Sequence, residues 1–104
     1  MGNFGLKKLE KFIGCWETFD RDSSARFIVI YDDAEGLKVS GIDTLDGEEF
    51  IISDVIFEDG CLTFTSEMES TGHRVDHLFR ESNGESLLHS YTVTEKWVKV
   101  ESDS

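Results

Sequence analysis

The chain of 104 residues has no proline, only two cysteines, few basic residues and no long apolar run. Its longest apolar stretch, Phe27 to Tyr31, falls far short of the ~18–20 residues that cross a bilayer, so no membrane span is expected. Ten Lys and Arg oppose 22 Asp and Glu, for a formal charge of −12. Because binding to phosphates needs clustered Lys and Arg, we do not expect this chain to bind nucleic acid directly.

The two cysteines, Cys15 and Cys61, do not form the dense pattern of a disulfide framework. The basic N-terminal stretch lacks the apolar region of a secretory signal, so the sequence predicts a cytoplasmic protein with reduced thiols. The length fits one domain over 1–104, with 101–104 as a frayed tail. The 38% hydrophobic fraction excludes a disordered acidic chain.

Turn signals recur about every 11 to 13 residues, which is typical of antiparallel strands joined by short hairpins. The segments between them are rich in β-branched and aromatic residues. Six turns predict an all-β meander of seven strands, and of eight if the long last segment bends near Thr94. The turns are Asp20 to Ser24, Glu35-Gly36, Asp46-Gly47, Asp59-Gly60, Thr71-Gly72 and Asn83-Gly84.

The turn type sets the pairing register, and hence which side chains share a face. A two-residue turn at Asp59-Gly60 predicts Phe57 opposite Leu62 and Ser53 opposite Ser66. In the preceding hairpin, one face is predicted to carry Phe27, Val29, Tyr31, Leu37, Val39 and Gly41.

For the last hairpin, a three-residue loop over 82–84 keeps apolar residues on one face. It predicts His77 directly opposite His89, and Phe79 opposite Leu87. A meander with free edges gains by closing into an up-and-down barrel. We therefore expect a small closed barrel, capped at one end by a short helix over 3–11.

The segment Phe12-Ile13-Gly14-Cys15-Trp16 follows this predicted helix. Its Gly-x-Trp pattern resembles the start of the first strand in lipocalins and fatty-acid-binding proteins, the calycin group. The resemblance implies that Trp16 packs at the closed end of the barrel and that a ligand cavity opens at the other end. The alternative is that Trp16 is a core anchor in a barrel without a ligand.

We expect a small molecule to bind in the lumen, without a cofactor. The residues predicted to line or floor the site are Trp16, Val55, Phe64, His73, His77, Phe79, His89 and Tyr91. His77 and His89 are also the only candidate metal ligands, but no motif supports a metal site. The alternative is a polar patch in the core, satisfied by Ser66, Ser90 or water.

One rim of the barrel is predicted to be strongly acidic, which would slow the entry of anions and favour a neutral or cationic ligand. The alternative is that these carboxylates only solubilise the loops. The charged residues of this rim are Asp20, Asp22, Asp43, Asp46, Glu48, Glu49, Glu67 and Glu69, with Arg21, Arg26 and Arg74. The opposite end is also acidic, and Lys7, Lys8 and Lys11 are expected to dock there.

Strand parity also places several apolar residues on the outer wall, and monomers rarely expose a large contiguous apolar patch. The sequence therefore predicts a homodimer through this face. A bulge that re-aims part of the fourth strand is the alternative. The predicted interface residues are Ile28, Ile30, Ile42, Phe50, Ile52 and Ile56.

Three functions are compatible with this sequence. The first is a small-molecule-binding, lipocalin-like barrel. The second is an acidic interaction module that mimics nucleic acid and blocks a nucleic-acid-binding protein, for which the net charge is the supporting feature. The third is a barrel enzyme such as an isomerase or hydrolase, which ranks last because no nucleophile can be paired with a base.

Overall fold

The computed structural model describes residues 9–17, 24–82 and 86–101. The predicted all-β architecture and the count of seven strands are confirmed. In the described residues no helix is long and apolar enough to cross a membrane. The strands are β1 (Gly14–Trp16), β2 (Ala25–Asp32), β3 (Gly36–Asp43), β4 (Ile51–Glu58), β5 (Cys61–Met68), β6 (His73–Glu81) and β7 (Leu87–Thr94).

The strands form two antiparallel sheets rather than a closed barrel, so the predicted closure is wrong. One sheet has the order β1-β2-β3 and the other β4-β5-β6-β7. They meet at the β3–β4 connection, where a bridge joins Ile42 to Glu49 and the amide of Phe50 donates to the carbonyl of Gly41. Beyond this point β3 and β4 are not paired with each other and belong to different sheets. Because β1 has only three residues and pairs with β2 alone, it offers too short a partner to close the ring with β7.

The predicted capping helix over 3–11 is also corrected. Residues 3–8 lie outside the described part of the chain, and no helix occurs among the described elements. Within described residues 9–17, helical geometry is limited to Leu9 and Glu10, and the chain then turns, with the amide of Phe12 donating to the carbonyl of Leu9. The expected docking of this segment at the acidic end is seen for Lys11, whose ammonium lies 3.0 Å from a carboxylate oxygen of Glu81.

The predicted register of the β2–β3 hairpin is confirmed. Val29 faces Val39, and Tyr31 faces Leu37. Phe27 faces Gly41, where an added Cβ would come within 2.6 Å of the Phe27 ring. Glycine at this position therefore lets the Phe27 ring lie flat over the neighbouring strand.

A β-bulge in β4 changes the register predicted for the next hairpin. Asp59 and Gly60 both have positive φ, as a two-residue type I′ turn requires, and Phe57 faces Leu62 as predicted. The pairing then shifts, so that Ser53 faces Thr65 rather than Ser66. Asp54, with φ of 54°, lies at the shift and supplies the extra residue.

The core lies between the two sheets. Phe12, Phe27 and Val29 come from the first sheet and its N-terminal approach, and Leu62 and Phe64 from the second; all are buried. The rings of Phe27 and Phe64 meet edge to face at a centroid distance of 5.0 Å. The sheets are thus held together by aromatic contacts over one part of their facing surfaces.

The last hairpin has a longer connection than predicted. Glu81 faces Leu87, and the amide of Ser82 donates to the carbonyl of Ser86. Relative to the predicted register, β7 is displaced by two residues along β6, so Phe79 rather than His77 faces His89. A shift of two preserves side-chain parity, and His77 and His89 therefore remain on one face. The predicted eighth strand is absent from described residues 95–101.

Candidate functional site

An open cleft of about 780 Å³ lies between the two sheets. Strands β1 and β2 supply one wall, and β6 and β7 the other. Of the eight predicted ligand-binding residues, the cleft is lined by Trp16, His73, His77, Phe79, His89 and Tyr91. The sequence analysis thus brought together residues that share one surface, although this surface is a cleft between open sheets and not a lumen.

The other two predicted residues lie elsewhere. Phe64 is buried in the core beneath the cleft, stacked on the His77 ring. Val55 follows the bulge and packs against the core without lining the cleft. Both therefore support the wall instead of facing a bound molecule.

A row of three hydrogen-bonded side chains crosses the second sheet. The Ser66 hydroxyl lies 2.8 Å from Nε2 of His77, and Nδ1 of His77 lies 2.9 Å from Nε2 of His89. Ser66 and His77 are buried, and His89 is more exposed. This row confirms Ser66 as a partner that satisfies the imidazoles, which was the alternative considered for the histidine cluster.

The row can be polarised in two directions. A neutral imidazole has one N–H donor and one acceptor nitrogen. Either Ser66 donates to His77 and His77 to His89, or His89 donates to His77 and His77 to Ser66. A change of tautomer therefore lets the His89 end of the row accept a hydrogen bond from one ligand or donate a hydrogen bond to another.

The imidazoles also belong to a ladder of stacked rings. The ring centroids of Phe79 and His89 are 4.4 Å apart, and those of His89 and Tyr91 are 5.0 Å apart. His77 stacks on His89 at 5.1 Å. The wall formed by β6 and β7 therefore presents mainly flat aromatic faces to the cleft, with the hydrogen-bonded row embedded in them.

Burial keeps both histidines uncharged at neutral pH. Desolvation, reinforced by the nearby His89, lowers the pKa of His77 from 6.5 to about 4, although the Asp76 carboxylate acts in the opposite direction. Burial also lowers the pKa of His89. The polar row is therefore a set of neutral donors and acceptors, and it adds no positive charge to the cleft.

Among the described residues, the cleft is lined by two acids, Glu17 and Asp43, and by no Lys or Arg. Arg26 is held in an ion pair with Glu17 on the first sheet. Asp43 is buried and accepts a hydrogen bond from the amide of Leu45, which anchors the β3–β4 turn. An anionic ligand would thus enter without a countercharge.

The geometry gives little support to metal binding or nucleophilic catalysis. No group of three or more potential metal ligands occurs among the described residues. Ser66 does contact an imidazole, as the alternative of a polar patch anticipated. However, a base whose pKa is about 4 is poorly matched to proton abstraction at neutral pH.

The predicted dimer face is only partly formed. Ile28, Ile30 and Ile56 are exposed on the outer side, as predicted. Phe50 and Ile52 instead pack against the core, because the bulge at Asp54 reverses the parity of the preceding part of β4. Ile42 is half-buried. The outer apolar surface is therefore smaller and less continuous than expected.

Several cleft residues were missed by the sequence analysis. Ser66 was considered only as a possible partner of the imidazoles and not as a cleft residue. Phe27 could be placed from its pairing with Gly41. Phe50 and Asp43 could not, since their positions depend on the bulge and on the separation of the sheets.

A second, smaller depression of about 440 Å³ lies on the outer face of the β4–β7 sheet. Asp54 and Asp76 line it and are exposed. The buried Thr65 hydroxyl donates to Asp76 over 2.7 Å. This pairing gives Asp76 a local structural role.

No protein-family model, curated protein or solved structure matches the chain. The resemblance to calycins therefore depends on the segment around Trp16 alone. In the structure Trp16 is half-buried, and its indole N–H donates to the carbonyl of Phe12 over 2.7 Å. Trp16 thus closes a local turn while one side of its ring faces the cleft.

Proposed function

We propose that this protein binds a small neutral or cationic molecule with an aromatic or aliphatic body in the cleft between its sheets. The observation that carries the proposal is an aromatic cleft of about 780 Å³ that contains one hydrogen-bonded polar row and, among its described lining residues, no Lys or Arg. Pockets for small molecules are typically about 300–1,000 Å³, with mostly apolar walls and a few placed polar groups. The cleft has this composition.

The aromatic ladder and the polar row have different roles in ligand recognition. Flat ligand groups stack on the exposed faces of Tyr91 and His89, and a single hydroxyl, carbonyl or amine bonds to the His89 end of the row. Because Glu17 is paired with Arg26, the Asp43 carboxylate supplies the uncompensated charge that biases the cleft against anions and towards cations. We expect chemical class to be selected by this charge bias, and orientation by the one polar contact.

The first prediction uses three ligands with the same ring system: 2-naphthylethanol, 2-naphthylethylamine and 2-naphthylacetate. Isothermal titration calorimetry should show the alcohol and the amine binding at least about tenfold more tightly than the acetate, a difference of ~1.4 kcal/mol. Amide chemical-shift changes should be confined to the residues that line the cleft and their neighbours, with those on β6 and β7 affected most. Quenching of Trp16 fluorescence in a Trp97→Phe background provides a third readout.

Two variants separate the cleft from the rest of the sheet. Tyr91→Ala removes a stacking face and should weaken binding of all three ligands. Thr92→Ala changes the neighbouring residue of β7, which does not line the cleft, and should leave binding unchanged. Equal affinity for the acetate, or shifts that cluster on the outer face, would contradict the proposal.

The acidic interaction module remains a prediction from net charge. The structure gives several of its carboxylates local roles: Asp46 accepts from the amide of Glu48, and Glu48 accepts from both the amide and the hydroxyl of Ser70. These contacts stabilise the turns. We therefore do not propose this function in preference to ligand binding.

A further inference from the structure

The free edge of β7 lacks the features that normally prevent strands from pairing between molecules. Among the described residues β7 pairs only with β6, leaving its other edge open from Leu87 to Thr94. Exposed edges are usually blunted by charge, proline or a bulge. No charged residue or proline occurs from Ser86 to Thr94, in a chain of which 31% is charged, and the β6–β7 register is continuous.

The segment that follows β7 has the pattern of a strand but pairs with no strand in the part of the chain that the structure describes. In residues 95–101 the side chains of Trp97, Val98 and Val100 are 85%, 74% and 85% exposed. No Gly, Pro, Asn or Asp occurs between Tyr91 and Glu101, so there is no turn signal that would fold the segment back onto β7.

We propose that two copies of this chain pair through these two features. β7 of each copy pairs antiparallel with residues 95–101 of the other, about a two-fold axis near Thr94. Such an interface is self-complementary, as two-fold symmetry requires. The proposal goes beyond ligand binding and does not depend on it.

Side-chain parity supports this register. When Thr94 lies opposite Thr94 of the second copy, Trp97 faces Tyr91 of the second copy, and Val100 faces Leu88 of the second copy. Cross-strand partners share a face. Trp97 thus extends the stacked rings of His89 and Tyr91 at the open side of the cleft, whereas Val100 covers Leu88, which is 47% exposed on the outer face.

Charge also favours this edge over any other surface. Residues 86–100 contain one acid, Glu95, and two bases, Lys96 and Lys99, so their net charge is +1. Because the whole chain carries −12, the other residues together carry −13. In the proposed register Glu95 faces Val93 and Lys99 faces His89. No like charges are directly opposed, although both copies are strongly acidic.

The first test is the oligomeric state of the full chain, measured by sedimentation velocity across a concentration series without ligand. The wild type should form a dimer, and Val98→Lys with Val100→Lys should weaken its dissociation constant by at least about tenfold. These two side chains are exposed, so folding should be unaffected. The matched control, Ile28→Lys with Ile30→Lys on β2, should leave the dimer intact.

A monomer at every concentration would overturn the proposal, as would a dimer that the Ile28 and Ile30 substitutions disrupt and the valine substitutions do not. The second result would assign the interface to the outer wall. Titration of the naphthyl ligands into the monomeric valine variant tests the cleft separately. Failure of dimerisation and failure of ligand binding are thus distinguishable.

The second test fixes the register by cross-linking, in a background of Cys15→Ser and Cys61→Ala. Thr94→Cys should form a covalent dimer on mild oxidation, because the two thiols meet at the axis. Thr92→Cys should not form a covalent dimer, because the two introduced thiols of the dimer are separated by four residues along the paired strands. This separation is about 13 Å, which is beyond the reach of a disulfide. Equal cross-linking at both positions, or none at Thr94→Cys, would refute this register.

Discussion

At the scale of single residues, His77 joins the core to the cleft. Its ring contacts Phe27 across the sheets at a centroid distance of 4.8 Å and stacks on Phe64 at 4.7 Å. Both of its nitrogens have hydrogen-bond partners within the row. A buried polar group with full hydrogen bonding is tolerated, but the protonated form would be desolvated, a cost that the nearby Asp76 carboxylate offsets only in part.

The stability of the protein should therefore fall in mild acid. The pKa of His77 is lowered from 6.5 to about 4, so between these values the unfolded state binds the proton and the folded state does not. The free energy of unfolding decreases as pH falls through this window, by up to roughly 3 kcal/mol from this residue. Urea unfolding at a series of pH values measures the loss.

The variant His77→Gln keeps hydrogen-bonding capacity towards Ser66 and removes the titration. Its free energy of unfolding should depend less on pH between 6.5 and 4, whatever its stability at neutral pH. His73→Gln, on the same strand, is the matched control and should retain the wild-type slope. Parallel curves for the wild type and His77→Gln would show that another group is responsible.

Gly41 is a second residue whose identity is set by its surroundings. Because a Cβ at this position would approach the Phe27 ring to 2.6 Å and Phe50 to 3.0 Å, Gly41→Ala should destabilise the fold by about 1–3 kcal/mol. Thermal unfolding measures the loss. Ser40→Ala, at an exposed neighbouring position, should have little effect.

A double-mutant cycle tests the cause of this loss. Phe27→Leu removes the atoms that clash, so the loss caused by Gly41→Ala should be smaller in that background. Simple additivity of the two changes would mean that backbone freedom, rather than contact with the ring, makes glycine necessary at position 41.

At the scale of elements, the bulge in β4 decides which residues of that strand face the core. Asp54 adopts a left-handed conformation, which costs most residues about 1–2 kcal/mol and is impractical for β-branched ones. Asp54→Val should therefore destabilise the protein by at least about 1–2 kcal/mol, and Asp54→Gly should be neutral or stabilising. Chemical denaturation provides the measurement.

Ser53→Val is the matched control for this prediction. Ser53 is exposed and pairs regularly with Thr65, so a β-branched residue suits it. If Ser53→Val and Asp54→Val had equal effects, the loss would be due to a general property of the strand and not to the backbone at the bulge.

The hairpins could be predicted from the sequence because their determinants are local. Asp59-Gly60 specifies a type I′ turn, and alternation of apolar residues specifies the faces of β2 and β3. A bulge in the fourth strand was kept only as an alternative, and its position could not be predicted, because Asp54 has no glycine or proline signal beside it. The preferred register without a bulge placed Phe50 and Ile52 on the wrong face.

The candidate site was found in part for a related reason. Parity alone places His77, His89 and Tyr91 on one face, and parity survives the two-residue displacement of β7. Barrel closure is instead a non-local property, since it requires the first and last strands to match in length and stagger. β1 is only three residues long, and no turn signal revealed this.

At the scale of the whole molecule, charge and apolar surface are separated along the chain. The acidic residues concentrate in the connections, whereas β7, which contributes to the cleft wall and forms the free edge, has no charged residue. A net charge of −12 disfavours both the compact state and self-association through mutual repulsion. The uncharged edge of β7 is where that repulsion is locally weakest.

Salt should therefore strengthen both folding and dimerisation. Raising ionic strength from about 0.01 to 0.15 M shortens the screening length from roughly 30 to 8 Å, which weakens repulsion between acids while apolar strand pairing persists. The urea midpoint should rise, and the dimer dissociation constant from sedimentation should fall. An interface held by ion pairs would weaken over the same range, so that response would exclude pairing through the β7 edge.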